Sequence, residues 1–283
     1  MDLRTQPVTT LLDSAERALG VTLESEEQAA RKRRTVGVPT RRGTWVRISA
    51  TPAESAAERS GLEATVALPP ETLHPRWYQG VCWCDGATLW RAEETELVPE
   101  PVVQQGGGVL TTDPQLPEVW WQRLAGAQRA LSTVATSRLA TPHTRPISQQ
   151  RVTETIQAVF PGLDTTVGEW AVAHADFAWV NLTAPACRIL DWEDFGLAPR
   201  GWDAATLWVN SLAVPALAER VQQVFADELH SPTGVVCQLY ALAELIAAGE
   251  DYAGPLAAPV HAAAEALVTT LSRRGSLAAA GSR

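Results

Sequence analysis

The apolar residues change period along the chain. In "TTLLDSAERALG" Leu11, Leu12, Ala15 and Leu19 recur at helical spacing, and Gly20 is a stop signal. Short β-rich runs follow, "RTVGVPT" and "TWVRISA", joined by "RRG", which predicts a hairpin. "TPAESAAERSGLEATV" predicts a helix, with Thr51 as N-cap, Pro52 at the first helical position and Glu54 three residues after the cap. "WYQGVCWCDGATLWRAEETEL" predicts two more strands around the turn Asp85-Gly86. The Pro/Gly-rich run "VPEPVVQQGGGVLTTDPQLP" then marks a hinge or linker. Beyond it the pattern is helical in "PEVWWQRLAGAQRALSTVA", "ISQQRVTETIQAVF" and four later segments as far as "PLAAPVHAAAEALVTTLS". The expected class is α+β, with a small antiparallel β-rich lobe over residues 1–100 and a larger helical lobe over 101–283.

Composition narrows the function classes. The chain has 283 residues, 46% of them hydrophobic, which is enough for real cores. Its formal net charge of -9 argues against a nucleic-acid partner, and "RKRR" (Arg31 to Arg34) reads as a solvated turn or helix end. The N-terminus carries Asp2, Asp13 and Glu16 without an apolar stretch, so no signal peptide is expected. No apolar run is long enough to span a bilayer, so neither a membrane partner nor a membrane location is expected, and the reading is cytoplasmic. Cys82, Cys84, Cys187 and Cys237 lack zinc spacing and read as reduced thiols. Lys32 is the only lysine.

The densest chemistry lies in "HADFAWVNLTAPACRILDWEDFG", His174 to Gly196. Polar groups among apolar runs cost free energy unless they are paired or bind something. "AVAHADFAWVNL" reads as a strand end, a loop and a short strand, and "CRILDWEDFG" as another strand ending in acids. A hairpin of this kind carries His174, Asp176, Asn181 and Asp191 to one end. Two carboxylates and an amide oxygen are hard ligands, and Mg²⁺ takes one or two carboxylates and fills its remaining positions with water and phosphate oxygens. A carboxylate near the metal but off it can accept a proton from an attacking hydroxyl, which completes the parts of a phosphoryl-transfer site.

The run HxDxxxxN followed by "ILDWED" and "GLAPRGWDAATL" resembles the aminoglycoside phosphotransferase family, which has a bilobal kinase-like fold. The resemblance is strong over His174 to Leu207 and only architectural elsewhere. It implies that Asp176 is the catalytic base, that Asn181 and Asp191 are magnesium ligands, and that His174 braces the catalytic loop. It also implies that Asp203 ties this loop to the next helix. Glu193 and Asp194 read as solvated acids or as groups just outside the metal's ligands. Mg²⁺ with ATP or GTP is the implied cofactor set, and a hydroxyl on a small molecule is the implied acceptor.

The first lobe departs from that pattern. Kinase-like folds place a lysine on a strand of this lobe and hold it with a helix glutamate. On "TWVRISA" the matching position is Arg47, whose planar guanidinium is not equivalent to an ammonium. Trp45, two residues earlier, either stacks on a base, blocks it, or covers the sheet. Glu54, Glu58 and Glu63 lie on or near the following helix, and Glu58 is the expected partner of Arg47. There is no Gly-rich phosphate loop, and only Gly37 interrupts the strand before the hairpin. These departures keep open a pseudokinase acting as a binding module. A kinase of peptide Ser/Thr and a kinase of choline- or sugar-like metabolites also remain. From Asp203 onward acids outnumber the bases Arg220, Arg273, Arg274 and Arg283, so a cationic acceptor such as an aminated antibiotic is expected. Some of Asp227, Glu228, Glu250 and Asp251 are the expected contacts, which would make the activity one of antibiotic resistance.

Overall fold

The apolar stripe of the first segment folds as α1 (Thr9–Leu19), closed by Gly20 in the left-handed region at φ 64°. The computed structural model describes residues 2–52, 64–106 and 108–281, with the backbone alone at 144 and 274–281. Five strands form one antiparallel sheet: β1 (Ala30–Arg31), β2 (Thr35–Pro39), β3 (Thr44–Pro52), β4 (Trp77–Asp85) and β5 (Thr88–Glu96). Their order is β1-β2-β3-β5-β4. Val46, Ile48 and Ala50 of β3 face a core that also holds Leu12, Ala15 and Leu19 of α1 with Trp90 and Ala92 of β5. Each fully buried Val or Ile contributes roughly 1.5–3 kcal/mol. A one-residue slip would put Arg47 into that core, so the apolar face fixes which side of the sheet Arg47 occupies.

Two expectations change in this unit. Thr51 and Pro52 do not cap a helix but end β3, where they pair with Leu89 and Thr88. Residues 53–63, with Glu54, Glu58 and Glu63, lie outside the described residues. Trp45 lays its ring across Gly37: a Cβ at Gly37 would meet Trp45 Cζ2 at 2.1 Å. The glycine that interrupts β2 therefore makes room for an indole covering the sheet.

The chain divides into two compact units, Met1–Glu100 with Arg188–Glu193, and Pro101–Cys187 with Asp194–Arg283. The sequence puts the break near residue 100 but gives no sign that the six residues 188–193 join the first unit. There Ile189 N–H donates to Leu73 O, and Arg188 pairs with Glu96 at 2.6 Å.

The second unit begins with α2 (Glu118–Ser132) and α3 (Gln149–Val159), the latter capped by the Ser148 hydroxyl. A two-stranded sheet of β6 (Trp170–Ala173) and β7 (Gly196–Pro199) follows, with Ala173 opposite Gly196. Then come α4 (Trp202–Val209), α5 (Pro215–Val224), α6 (Ala226–Leu229), α7 (Pro232–Ala248), α8 (Glu250–Ala253) and α9 (Ala257–Gly281). "ALAERVQQVFADELH" is split by buried Phe225, whose φ of -112° and ψ of 31° break the helix. α7 is the hub, with buried Val236, Leu239, Leu242 and Ala243, and it packs on α3, α4 and α9. No single helix among the described residues is long and apolar enough to cross a membrane.

The expected hairpin through "VNL" and "CRIL" forms no strands among the described residues, where Leu182, Thr183 and Ile189 are single bridge residues. "WVN" is a 3₁₀ turn, Trp179–Asn181, and "WED" is another, Trp192–Asp194. The strand that pairs with β6 is instead "GLAP", after the acids. Ile189 N–H meets Leu73 O, and Leu73, at φ 61°, ends a 3₁₀ turn.

Candidate functional site

In the second unit the chain leaves β6 into a loop organised by one buried carboxylate. Asp203, in the first turn of α4, accepts the His174 N–H at 2.7 Å on Oδ2 and the Ala175 N–H at 2.9 Å on Oδ1. Ala175 sits in the left-handed region at φ 70°, which costs an L-residue roughly 1–2 kcal/mol. The two charge-assisted hydrogen bonds hold it there. Burial pushes the Asp203 carboxyl above its usual range, against His174 and these N–H donors. His174 is fully buried against Phe177, and its Nδ1 accepts the Asp176 N–H at 3.3 Å.

Asp176, by contrast, is exposed. Asn181 Nδ2 donates to both its backbone oxygen and its Oδ2, each at 2.8 Å. The turn carrying Asn181 is anchored by buried Trp179, which stacks on Trp120 and donates to Ser211 Oγ at 3.0 Å. Asn181 thus spends its amide nitrogen on the carboxylate and keeps a hard oxygen for a cation.

Asp176 lines a cavity of about 680 Å³ within this unit, together with Asp194, His143, Tyr240, Glu244 and Tyr252. Thr141 fixes Asp194, its hydroxyl donating to Oδ1 at 2.7 Å and its N–H to the backbone oxygen at 3.0 Å. Glu244 accepts the Tyr240 hydroxyl at 2.7 Å, with Arg151 at 3.5 Å and His143 at 3.6 Å. Burial alone would raise the Glu244 carboxyl, but His143, Tyr240 and Arg151 outweigh it and hold it below its ordinary range. The neighbouring Glu244 carboxylate raises His143. None of Asp227, Glu228, Glu250 or Asp251 lines this cavity. Asp227, Glu250 and Asp251 are exposed at helix starts, and the acids that line the cavity are Asp176, Asp194 and Glu244. Tyr240 and Glu244, four apart on one face of α7, are the signal the sequence offered for this wall.

In the first unit Arg47 projects from the face of β3 opposite the core. Its Nη2 donates to Glu193 Oε2 at 2.6 Å and lies 3.6 Å from Asp191 Oδ1. Glu93, opposite Arg47 on β5, is buried, and burial raises its carboxyl against Arg91 and Arg47. Burial opposes the Arg47 charge, but Asp191, Glu193 and Glu93 prevail and hold it above the usual guanidinium value. Its ion-pair partners among the described residues include Glu193 and Asp191, both from "DWED". Asp191 has φ 62° and presents its other oxygen, Oδ2, to Lys32 Nζ at 3.4 Å. The sequence marked Lys32 only by its being alone of its kind.

Among the described residues no group of three or more His, Cys, Asp or Glu could hold a metal alone. The Asn181 amide oxygen and the Asp191 carboxylate are each hard-oxygen donors of the kind Mg²⁺ takes alongside phosphate and water oxygens. Asn181 belongs to the second unit and Asp191 to the first.

No protein-family model matches the chain, and no curated protein matches it. Solved structures do. A thermostable mutant of an aminoglycoside phosphotransferase, in ternary complex with ADP and hygromycin B, is similar with a TM-score of 0.57 at 13% identity, covering 92% of this chain and 98% of that one. The GDP and kanamycin complex of APH(2")-IIia is similar with a TM-score of 0.53 at 12% identity, covering 94% and 99%. A macrolide 2'-phosphotransferase type I is similar with a TM-score of 0.50 at 15% identity, covering 92% and 98%. The chain has the kinase-like fold shared by these antibiotic phosphotransferases.

Proposed function

We propose that this chain is an O-phosphotransferase that moves the γ-phosphoryl group of ATP or GTP to a hydroxyl of a small cationic molecule, such as an aminoglycoside-like antibiotic. The observation that carries this reading is Asp176, an exposed carboxylate clamped by the Asn181 amide on the wall of a cavity of about 680 Å³. In the reaction the acceptor oxygen attacks the γ-phosphorus and its proton passes to Asp176. The bond to the bridging oxygen breaks and the nucleoside diphosphate leaves. His174 and Asp203 hold the loop, and Arg47 contacts the phosphates. Magnesium, with Asn181 and Asp191 as its protein ligands, would neutralise the charge on the phosphate oxygens. Asp176, Asp194 and Glu244 make the cavity wall acidic, which favours an amine-bearing acceptor. Hygromycin B and kanamycin, bound in two of the similar structures, are consistent with that class.

One observation favours a second reading. Arg47 is already engaged by Glu193 and Asp191, as in a pseudokinase whose nucleotide site is closed on itself. The deciding experiment incubates the protein with Mg²⁺, ATP or GTP and a panel of cationic and neutral alcohols, and follows phosphomonoesters by ³¹P NMR. Phosphorylation of cationic acceptors, with a KM that rises with salt, is expected. Metal-independent nucleotide binding without turnover on any acceptor would leave the pseudokinase.

A further inference from the structure

The phosphotransferase reading assigns no work to Lys32. It is the only lysine in a chain with 23 basic Lys and Arg residues. It opens the turn between β1 and β2, and the backbone around it is pinned: Lys32 N–H donates to Thr35 O at 2.9 Å. Leu3 N–H reaches Arg33 O and Ala50 N–H reaches Arg34 O, each at 2.9 Å. Arg31 is committed to the Gln6 carbonyl and to Glu26. The Lys32 side chain is 70% exposed, on a fixed base, and its ammonium ends 3.4 Å from Asp191 Oδ2. Arg47 approaches Oδ1 of the same carboxylate at 3.6 Å.

A carboxylate touched by a lysine on one oxygen and an arginine on the other marks a place where two cations converge on an anion. With Lys32 70% exposed, its pairing contributes little to stability, so stability does not explain its approach to Asp191. In kinases a Gly-rich loop covers the phosphates and one strand lysine contacts them. Here that turn is "RKRR", and the strand position holds Arg47, which Glu193 ties down at 2.6 Å. A divalent cation on Asp191 would repel both side chains from the carboxylate and leave them to the phosphate oxygens.

We infer that Lys32 is a phosphate-binding residue of the nucleotide site, a mobile point charge that works beside the fixed fork of Arg47. The inference rests on the nucleotide-dependent reading above. The contrast between the two side chains supports the division: an ammonium on a flexible stem can follow a moving phosphoryl group, whereas a held guanidinium cannot.

The single lysine makes the test specific. The full chain is treated with an acyl-phosphate derivative of ATP in Mg²⁺, and peptides are mapped by mass spectrometry. The lysine amine attacks the acyl carbon, the acyl–phosphate bond breaks, the nucleotide leaves, and the amine proton passes to water. Lys32 is expected to be acylated, and excess ATP or GTP to suppress the labelling at least about tenfold. By calorimetry Lys32→Ala should weaken Mg-nucleotide binding on the order of tenfold. Lys32→Arg should restore most of it, and Arg33→Ala should change it less than about twofold. If the wild type binds Mg-nucleotide but labelling of Lys32 is indifferent to competitor, or Lys32→Ala binds within about twofold of wild type, the inference is wrong and the phosphotransferase reading stands. If the wild type binds no nucleotide at all, both fall.

Discussion

Replacing Asp176 with Asn separates chemistry from architecture. Asn181 Nδ2 donates to Asp176 Oδ2 at 2.8 Å, and an asparagine at 176 keeps an oxygen for that hydrogen bond. The bond loses its charge assistance, from roughly 1.5–3 kcal/mol to roughly 0.5–1.5, so the fold loses about 1 kcal/mol. For a unit of this size that is a fall in Tm of about 2–4 °C. The second Asn181 bond, to the backbone oxygen, survives. The loss of a general base costs far more, on the order of 10²–10⁴ in kcat, or about 2.7–5.4 kcal/mol of barrier. Steady-state kinetics on a competent acceptor, read beside a thermal melt, measures the two separately. The expected result is a small shift in Tm, a nearly unchanged nucleotide KM and a collapse of kcat. If kcat falls less than about tenfold, Asp176 is a structural residue of the loop and the mechanism needs another base.

Other residues give sharper or slower readouts. Gly196→Ala would bring a Cβ within 2.5 Å of Ala140 N and Leu139 C and 2.7 Å of Arg138 O. Backbone cannot step aside there, so a loss of about 1–3 kcal/mol or more is expected, and an unshifted melt would contradict the packing. Arg47→Ala should raise the nucleotide KM about tenfold, with partial recovery in Arg47→Lys; normal kinetics would mean the phosphates are held elsewhere. His143 is raised by Glu244, so its share of stability is complete below about pH 6.5 and fades as pH rises through the higher folded value. Glu244 is lowered, so its share holds above about pH 4.5 and is lost in acid. The ring is exposed and screened, which limits the pair to roughly 0.5 kcal/mol. Melts of wild type and His143→Gln should differ most near pH 5.5 and coincide by about pH 9, and a constant difference across that range would refute the pairing.

How much the sequence disclosed depended on the range of the forces involved. α1, the β2–β3 hairpin and the β4–β5 hairpin are local, set by apolar period, Gly20, Gly43 and Gly86, and each was legible. "CRIL" carries a strand's composition, yet Ile189 is its single bridge residue, and its N–H meets the left-handed Leu73 that ends a 3₁₀ turn. Pairing is a property of two segments, and no window over one of them contains it. For the same reason the composition shift near residue 100 marks the break between units, yet the return of residues 188–193 to the first unit leaves no trace in composition.

The site divides along the same line. Asp176, Asn181 and Asp191 stand out because their chemistry is carried by residue type and short spacing. Asp203 lies 27 positions beyond Asp176 and was reached only through resemblance, although its work is plain in space: two backbone N–H groups and a left-handed Ala175 held by one carboxylate. Charge partners are the least legible, since any of several acids could neutralise Arg47 and only the fold selects among them. Glu58, the expected partner, lies outside the described residues. A guanidinium presents five donors in a fixed fork and can be shared, and here Glu193 and Asp191 take it together. An arginine at this position can therefore engage more than one acid at once, and its own residue type was the clue that several acids would matter around it.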